Sequence, residues 1–150
     1  MREKITAQPG IVVYDRQRKI RVTLEPLCAF AKKALSECLK LTPQKKGVLA
    51  GLPEVSVVLV SDRRIAAIHQ EFMNAPYPTD VITFQHGEIF ISVETAKRQA
   101  RAYGTSLQHE VRLYLVHGLL HLHGYNDKTK AGAAEMKRLQ ERVVTKLDDR

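Results

Sequence analysis

A chain of 150 residues with 44% hydrophobic content is long enough for one domain with a real core and too short for two. It has no apolar run near the roughly 18 residues of a membrane span, and its opening MREKITAQPG has no apolar stretch of the secretory kind, so a cytoplasmic protein is expected. The formal charge of +8 is concentrated at one end: residues 1–46 hold eleven Lys or Arg against four Asp or Glu, and the remainder thirteen against twelve, a footprint suited to a polyanion or to an ordinary solvated surface.

Residues 11–14 are short and β-branched and predict a strand, followed by the basic cluster Arg16, Arg18, Lys19 and Arg21. Leu24, Leu27, Cys28, Ala31, Leu35, Cys38 and Leu39 recur at helical spacing and predict an amphipathic helix over 23–41. Cys28 and Cys38 lie on it about 15 Å apart, too far to bridge, and read as free thiols. A loop at 47–53 leads to VSVVLV at 55–60, the strongest strand signal in the chain and a candidate for the sheet centre. Ser61 or Asp62 can cap a helix running to about Phe72, and Asn74, Pro76 and Pro78 then mark a turn. Strands are expected at 81–84 and 88–92, joined by Gln85-His86-Gly87, with a helix at 93–103. After Gly104, Thr105 or Ser106 opens a helix whose run from Val111 to Leu122 is apolar nearly all round, as in a helix buried mid-domain. A last helix at 128–147 shows Met136, Leu139, Val143 and Leu147 at three- and four-residue steps and should cover the core. The fold class is α/β (α+β), one domain with about four strands in a mixed sheet and about five helices.

The buried helix carries the chemistry. His117 and His121 stand four apart, on one helical face, where both can offer a ring nitrogen to one ion. Two imidazoles on an apolar stripe need partners, because an unpaired buried polar group costs about 1–3 kcal/mol. Gly124 can end the helix in the left-handed conformation and turn the chain so that Asp127 comes toward the same point. Three ligands leave one position open on a tetrahedral Zn2+, the arrangement of a hydrolytic site. His123 is a possible substitute for Asp127, but at two residues from His121 it points elsewhere. His109 sits about 80° around the helix from His117, so a ligand role is not expected.

His117-Gly-Leu-Leu-His121-Leu-His123-Gly-Tyr-Asn-Asp127 resembles the HGxLHLxGYDH signature of the YbeY family of metal-dependent bacterial endoribonucleases. Tyr77-Pro-Thr-Asp80-Val-Ile-Thr-Phe84 is similar to that family's PTDVLSF segment, and Gly87-Glu88-Ile89 to its GDI, so the likeness extends over about residues 54–147. It implies the same fold, with the metal helix against the sheet, and cleavage of single-stranded RNA in rRNA maturation and ribosome quality control. It also implies the ribosomal small subunit or its associated proteins as partners. Two places depart from the pattern. Asp127 stands where the family has its third histidine ligand, which leaves zinc binding possible but makes the bound water less acidic. Met73 stands where the family segment has a functionally important arginine, a group suited to a phosphodiester. Arg63, Arg64, Lys97 or Arg98 would have to replace it.

Gly118 occupies the position that holds the general-base glutamate in the HExxH signature of zinc peptidases, which disfavours a peptidase. A base or acid must come from another element. Glu88, Asp80 and His86 are the candidates, each with a plainer alternative as strand end, turn cap and loop residue. A second reading is a noncatalytic rRNA-binding ribosome-assembly factor that keeps the metal site; Met73 favours it. With 6% aromatic residues and no tryptophan, base stacking is expected to be a minor part of RNA recognition.

Overall fold

The computed structural model describes residues 8–148; the first seven residues, part of the segment read above for a secretory signal, lie outside the described residues. The apolar, β-branched runs form strands β1 (Gly10–Asp15), β2 (Glu54–Val60), β3 (Val81–Phe84) and β4 (Glu88–Ser92). They make one mixed sheet in the order β1-β2-β4-β3, with β1 and β4 parallel to β2 and β3 antiparallel to β4. The strongest strand is internal, as its composition predicts. The helices are α1 (Leu24–Leu39), α2 (Asp62–Met73), α3 (Val93–Tyr103), α4 (Leu107–Leu122) and α5 (Lys130–Asp148).

Strand alternation divides the sheet into two unequal faces. Ile11 and Val13 of β1, Val55, Val57 and Leu59 of β2, and Ile89 and Ile91 of β4 point into the main core, against α1 and α4, and are all buried. Among the described residues the other face is covered by α2, whose Ile65 and Ile68 close a small cluster with Val60 and Ile82, while Val58, Phe84 and Phe90 stay partly open. α4 is enclosed between the sheet, α1, α3 and α5, which explains why its sequence is apolar on most sides. α5 lies over α4 and α1 and supplies Met136, Leu139, Val143 and Val144 to the core, the cover its spacing predicts.

Serine caps start three helices: the side chains of Ser61, Ser92 and Ser106 accept from the amides of Arg64, Thr95 and His109. Two helix boundaries move by two residues from expectation, for local reasons. α1 stops at Leu39 because the chain tightens there, with Lys40 N donating to Glu37 O at 3.2 Å, and Pro43 follows. α5 begins at Lys130 because Lys128 N is held by the Asn126 side chain at 3.1 Å and Thr129 Oγ1 caps by accepting from Gly132 N at 2.9 Å. The 47–53 loop contains a 3-10 turn at Leu49–Gly51 that buries Leu49. Both cysteines are free, and burial pushes the Cys38 thiol up to about 12. No described helix is long and apolar enough to cross a membrane.

Candidate active site

The histidine helix is positioned by two close approaches. Gly118 lies against β4, where a β-carbon would come within 2.7 Å of the Ile89 side chain, so only glycine lets α4 sit this near the sheet. Gly124 has φ +100° and lies against Gln44, whose carbonyl would be 2.8 Å from an added β-carbon. The loop at 41–48 also ties off the helix end, with Gln44 N donating to His123 O at 2.9 Å and Val48 N to Leu122 O at 2.7 Å. Tyr125 Oη donates to Thr42 O at 2.8 Å. His123 belongs to this fastening: its ring is 2% exposed, and its Nε2 meets Leu41 O at 2.9 Å.

A stripe along α4, Glu110, Tyr114, His117 and His121, follows helical spacing. Its first three members line a cleft of about 510 Å3 between α3, α4 and α5, whose wall also includes Asp80, Asp127, Lys137 and Gln140. His117 Nδ1 lies 3.1 Å from Gln140 Oε1, and an amide oxygen can only accept, so this pairing puts the proton on Nδ1 and leaves the lone pair on Nε2. His121 Nδ1 is buried without a partner. Burial, then the neighbouring His117, hold the His121 imidazole below its ordinary pKa, and Asp127 pulls the other way. The three residues are therefore electrostatic neighbours, and the orphaned nitrogen gives an ion something to satisfy. They are not a closed triad: Asp127 is exposed, and among the described residues no three His, Cys, Asp or Glu side chains are grouped to hold a metal. In donor chemistry the set fits zinc, with the carboxylate still to be drawn in.

Asp80 reaches this cleft from the start of β3, with Oδ1 accepting from Val81 N at 2.8 Å. Glu88 and His86 do not. β4 turns Ile89 toward α4 and Glu88 to the opposite face, where Glu88 Oε1 lies 2.7 Å from His86 Nε2 in a groove beside α2. Of the three, Asp80 lines this cleft, whereas Glu88 takes the face of β4 opposite Ile89 and His86, in the turn before β4, is paired with it there. Met73 is 49% exposed at the end of α2. Of the cations considered as replacements, Arg98 is bound to Asp62 Oδ2 at 2.6 Å and Arg64 lies in the α2-side grooves.

Residues overlooked in the sequence complete the cleft. Lys137 and Gln140 stand three apart on α5 and line the cleft opposite His117, which Gln140 touches. Glu110 is 4% exposed and accepts from Thr105 Oγ1 at 2.7 Å. Tyr114 is buried, and burial, followed by the negative charges of Asp80 and Glu110, pushes its hydroxyl up, so it stays protonated at neutral pH. The recurrence of Glu110, Tyr114 and His117 at helical spacing was the available signal. His109 also lines the cleft, and its Nδ1 is 3.9 Å from Asp148.

Comparison with known proteins bears on the family and the fold. The family model described as Endoribonuclease YbeY matches residues 12–148. Endoribonuclease YbeY of Moorella thermoacetica is 38% identical over 129 residues, covering 73% of this chain and 82% of that protein. Endoribonuclease YbeY of Thermus thermophilus is 36% identical over 124 residues, covering 69% and 89%. The solution structure of TM1509 from Thermotoga maritima superposes with a TM-score of 0.61 at 26% identity, covering 89% of this chain and 86% of that one. With the family model running from within β1 to the end of α5, the chain belongs to the YbeY endoribonuclease family.

Proposed function

We propose that this protein is a zinc-dependent endoribonuclease acting on single-stranded RNA, with rRNA precursors of the small ribosomal subunit as substrate and the cytoplasm as its place of work. The observation that carries the reading is the buried, unpartnered nitrogen of His121, which neighbours His117 and Asp127, two residues that line a cleft together with Asp80 and Lys137. His117, His121 and Asp127 would hold the ion, which when bound would lower the pKa of a water and polarise a phosphoryl oxygen. Gln140 keeps the His117 ring turned with Nε2 available. Asp80 has one carboxylate oxygen engaged by Val81 N and Thr79 and the other available to take a proton. Lys137 can pair with a phosphate oxygen in the role the resemblance assigns to the arginine at position 73, and the protonated Tyr114 can donate a hydrogen bond to the same group. Ribosome quality control is included in the proposal on the resemblance alone.

A noncatalytic rRNA-binding role in ribosome assembly is the second reading, favoured by Met73 and by the unclosed ligand set. A peptidase has less support, since Gly118 is pressed against Ile89 with no space for a general base there. The test is to strip the protein with a chelator, reload it with zinc, and offer single-stranded RNA, duplex RNA and casein. Zinc-restored cutting of the single strand alone is expected. RNA binding without cutting at any zinc level would leave the assembly-factor reading, and casein turnover would overturn both.

A further inference from the structure

The sheet face turned away from α4 has no role in the chemistry above, yet it gathers aromatic and basic groups. Three of the four phenylalanines, Phe72, Phe84 and Phe90, meet there, with ring centroids 5.1 Å and 5.9 Å apart along the series. His86 stacks on Phe84 at 5.7 Å and 15°. Strand register puts Tyr14, Val58 and Phe90 in one row across β1, β2 and β4, and Tyr14 is 37% exposed. The Arg16 guanidinium lies 5.2 Å over the Tyr14 ring. Arg64 of α2 faces Arg16 across a groove of about 620 Å3, and a second groove of about 380 Å3 continues past Phe84 and His86, sharing Arg64 and Phe90 with the first. Among the described residues neither Arg16 nor Arg64 is tied to a carboxylate, whereas the carboxylate of Glu88 at this face is held by His86.

We infer that this face is a second RNA-binding surface, which holds single-stranded RNA by stacking unpaired bases on Tyr14, Phe90 and Phe84 while Arg16 and Arg64 take the flanking phosphates. The inference rests on the proposed action on single-stranded RNA and extends it to a part of the molecule remote in sheet topology from the histidines. Open cations beside partly exposed rings are what an unpaired strand needs, because every base has a face to stack and every phosphate a charge to neutralise. A duplex offers no free base faces. The exposed Arg18, Lys19 and Arg21 follow β1 directly and extend the positive field along the path a strand would leave by. The low aromatic content of the chain, which spoke against stacking, hides the fact that these rings are collected on one face.

The test is fluorescence-anisotropy binding of a labelled ten-nucleotide oligouridylate to the full chain, with chelator present so that no cutting occurs. Arg16→Ala with Arg64→Ala should weaken binding about tenfold or more and reduce the slope of log affinity against log salt by about 1.4, the value for two phosphates on a single strand. Tyr14→Ala should weaken it at least about fivefold through lost stacking. Arg16→Lys should restore most of the affinity, and a duplex of equal length should bind at least about tenfold more weakly. Circular-dichroism melts verify that these surface variants fold. Wild-type affinity and salt slope in the double variant would overturn the inference, including the case where this face receives a protein. Cutting of the same oligomer by zinc-loaded wild type is scored separately. Cutting with unaffected binding would sink this surface and leave the nuclease standing, whereas weakened binding with no cutting would sink the nuclease and leave this surface.

Discussion

Asp62 at the first turn of α2 accepts from Ser92 Oγ at 2.6 Å, Thr95 Oγ1 at 2.7 Å and Arg98 Nη1 at 2.6 Å. Burial by itself would raise this carboxyl, but the hydrogen bonds from Arg98, Ser92 and Thr95 outweigh it and hold the pKa below the ordinary 3.8. A carboxyl more acidic in the folded chain than in the unfolded one stabilises the fold fully above about pH 4, and that contribution is lost as pH falls below 3.8 toward the folded value. Asp62→Asn should therefore cost about 2 kcal/mol at pH 7, with the gap from wild type narrowing as pH drops from 5 toward 3. Urea denaturation at stepped pH measures this, and a gap that stays constant would show that the carboxylate charge is not what matters. In the sequence Asp62 was legible only as a possible cap. Its partners lie thirty or more residues away, and no local spacing encodes them. The same limit applied to Lys137 and Gln140, which reach the cleft of His117 from another helix.

The elements themselves were largely legible, because each carries its own period and punctuation. β3, β4 and α3 fall where alternation, Gly87 and Ser92 place them, and the His117–His121 helix could be read as buried from its all-round apolar run. What the period could not say is that Glu88 takes the α2 side of the sheet and that the turn before it carries His86 to the same side, so both seemed to belong beside Asp80. The end of α4 shows how one element positions another. The loop at 41–48, Gly124 and His123 together set the direction in which the chain leaves toward Asp127. Gly124→Ala combines a positive-φ penalty of about 1–3 kcal/mol with a clash against Gln44. It should lower the denaturation midpoint and, by displacing Asp127, weaken zinc binding about tenfold or more, read by competition with a fluorescent chelator. Unchanged zinc affinity in a destabilised variant would separate Asp127 from the ligand set.

At the scale of the whole molecule, the sheet separates two surfaces with different chemistry. One face packs α4 and brings His117 to a cleft with carboxylates at Asp80, Glu110 and Asp127, while the other carries aromatic rings and the guanidinium groups of Arg16 and Arg64. Asp127 and Met73 are the two positions at which the chain departs from the pattern it otherwise resembles, and both bear on how it would handle a phosphodiester. The measurement that addresses this most directly is cleavage of a labelled single-stranded rRNA fragment by zinc-loaded wild type, with His121→Ala and Met73→Arg alongside. Cutting by wild type is expected, with a loss of at least about a hundredfold in His121→Ala and at most a modest gain in Met73→Arg if Lys137, which lines the cleft, pairs with the phosphate as proposed. Inert wild type beside an active Met73→Arg, or equal cutting by wild type and His121→Ala, would contradict this expectation.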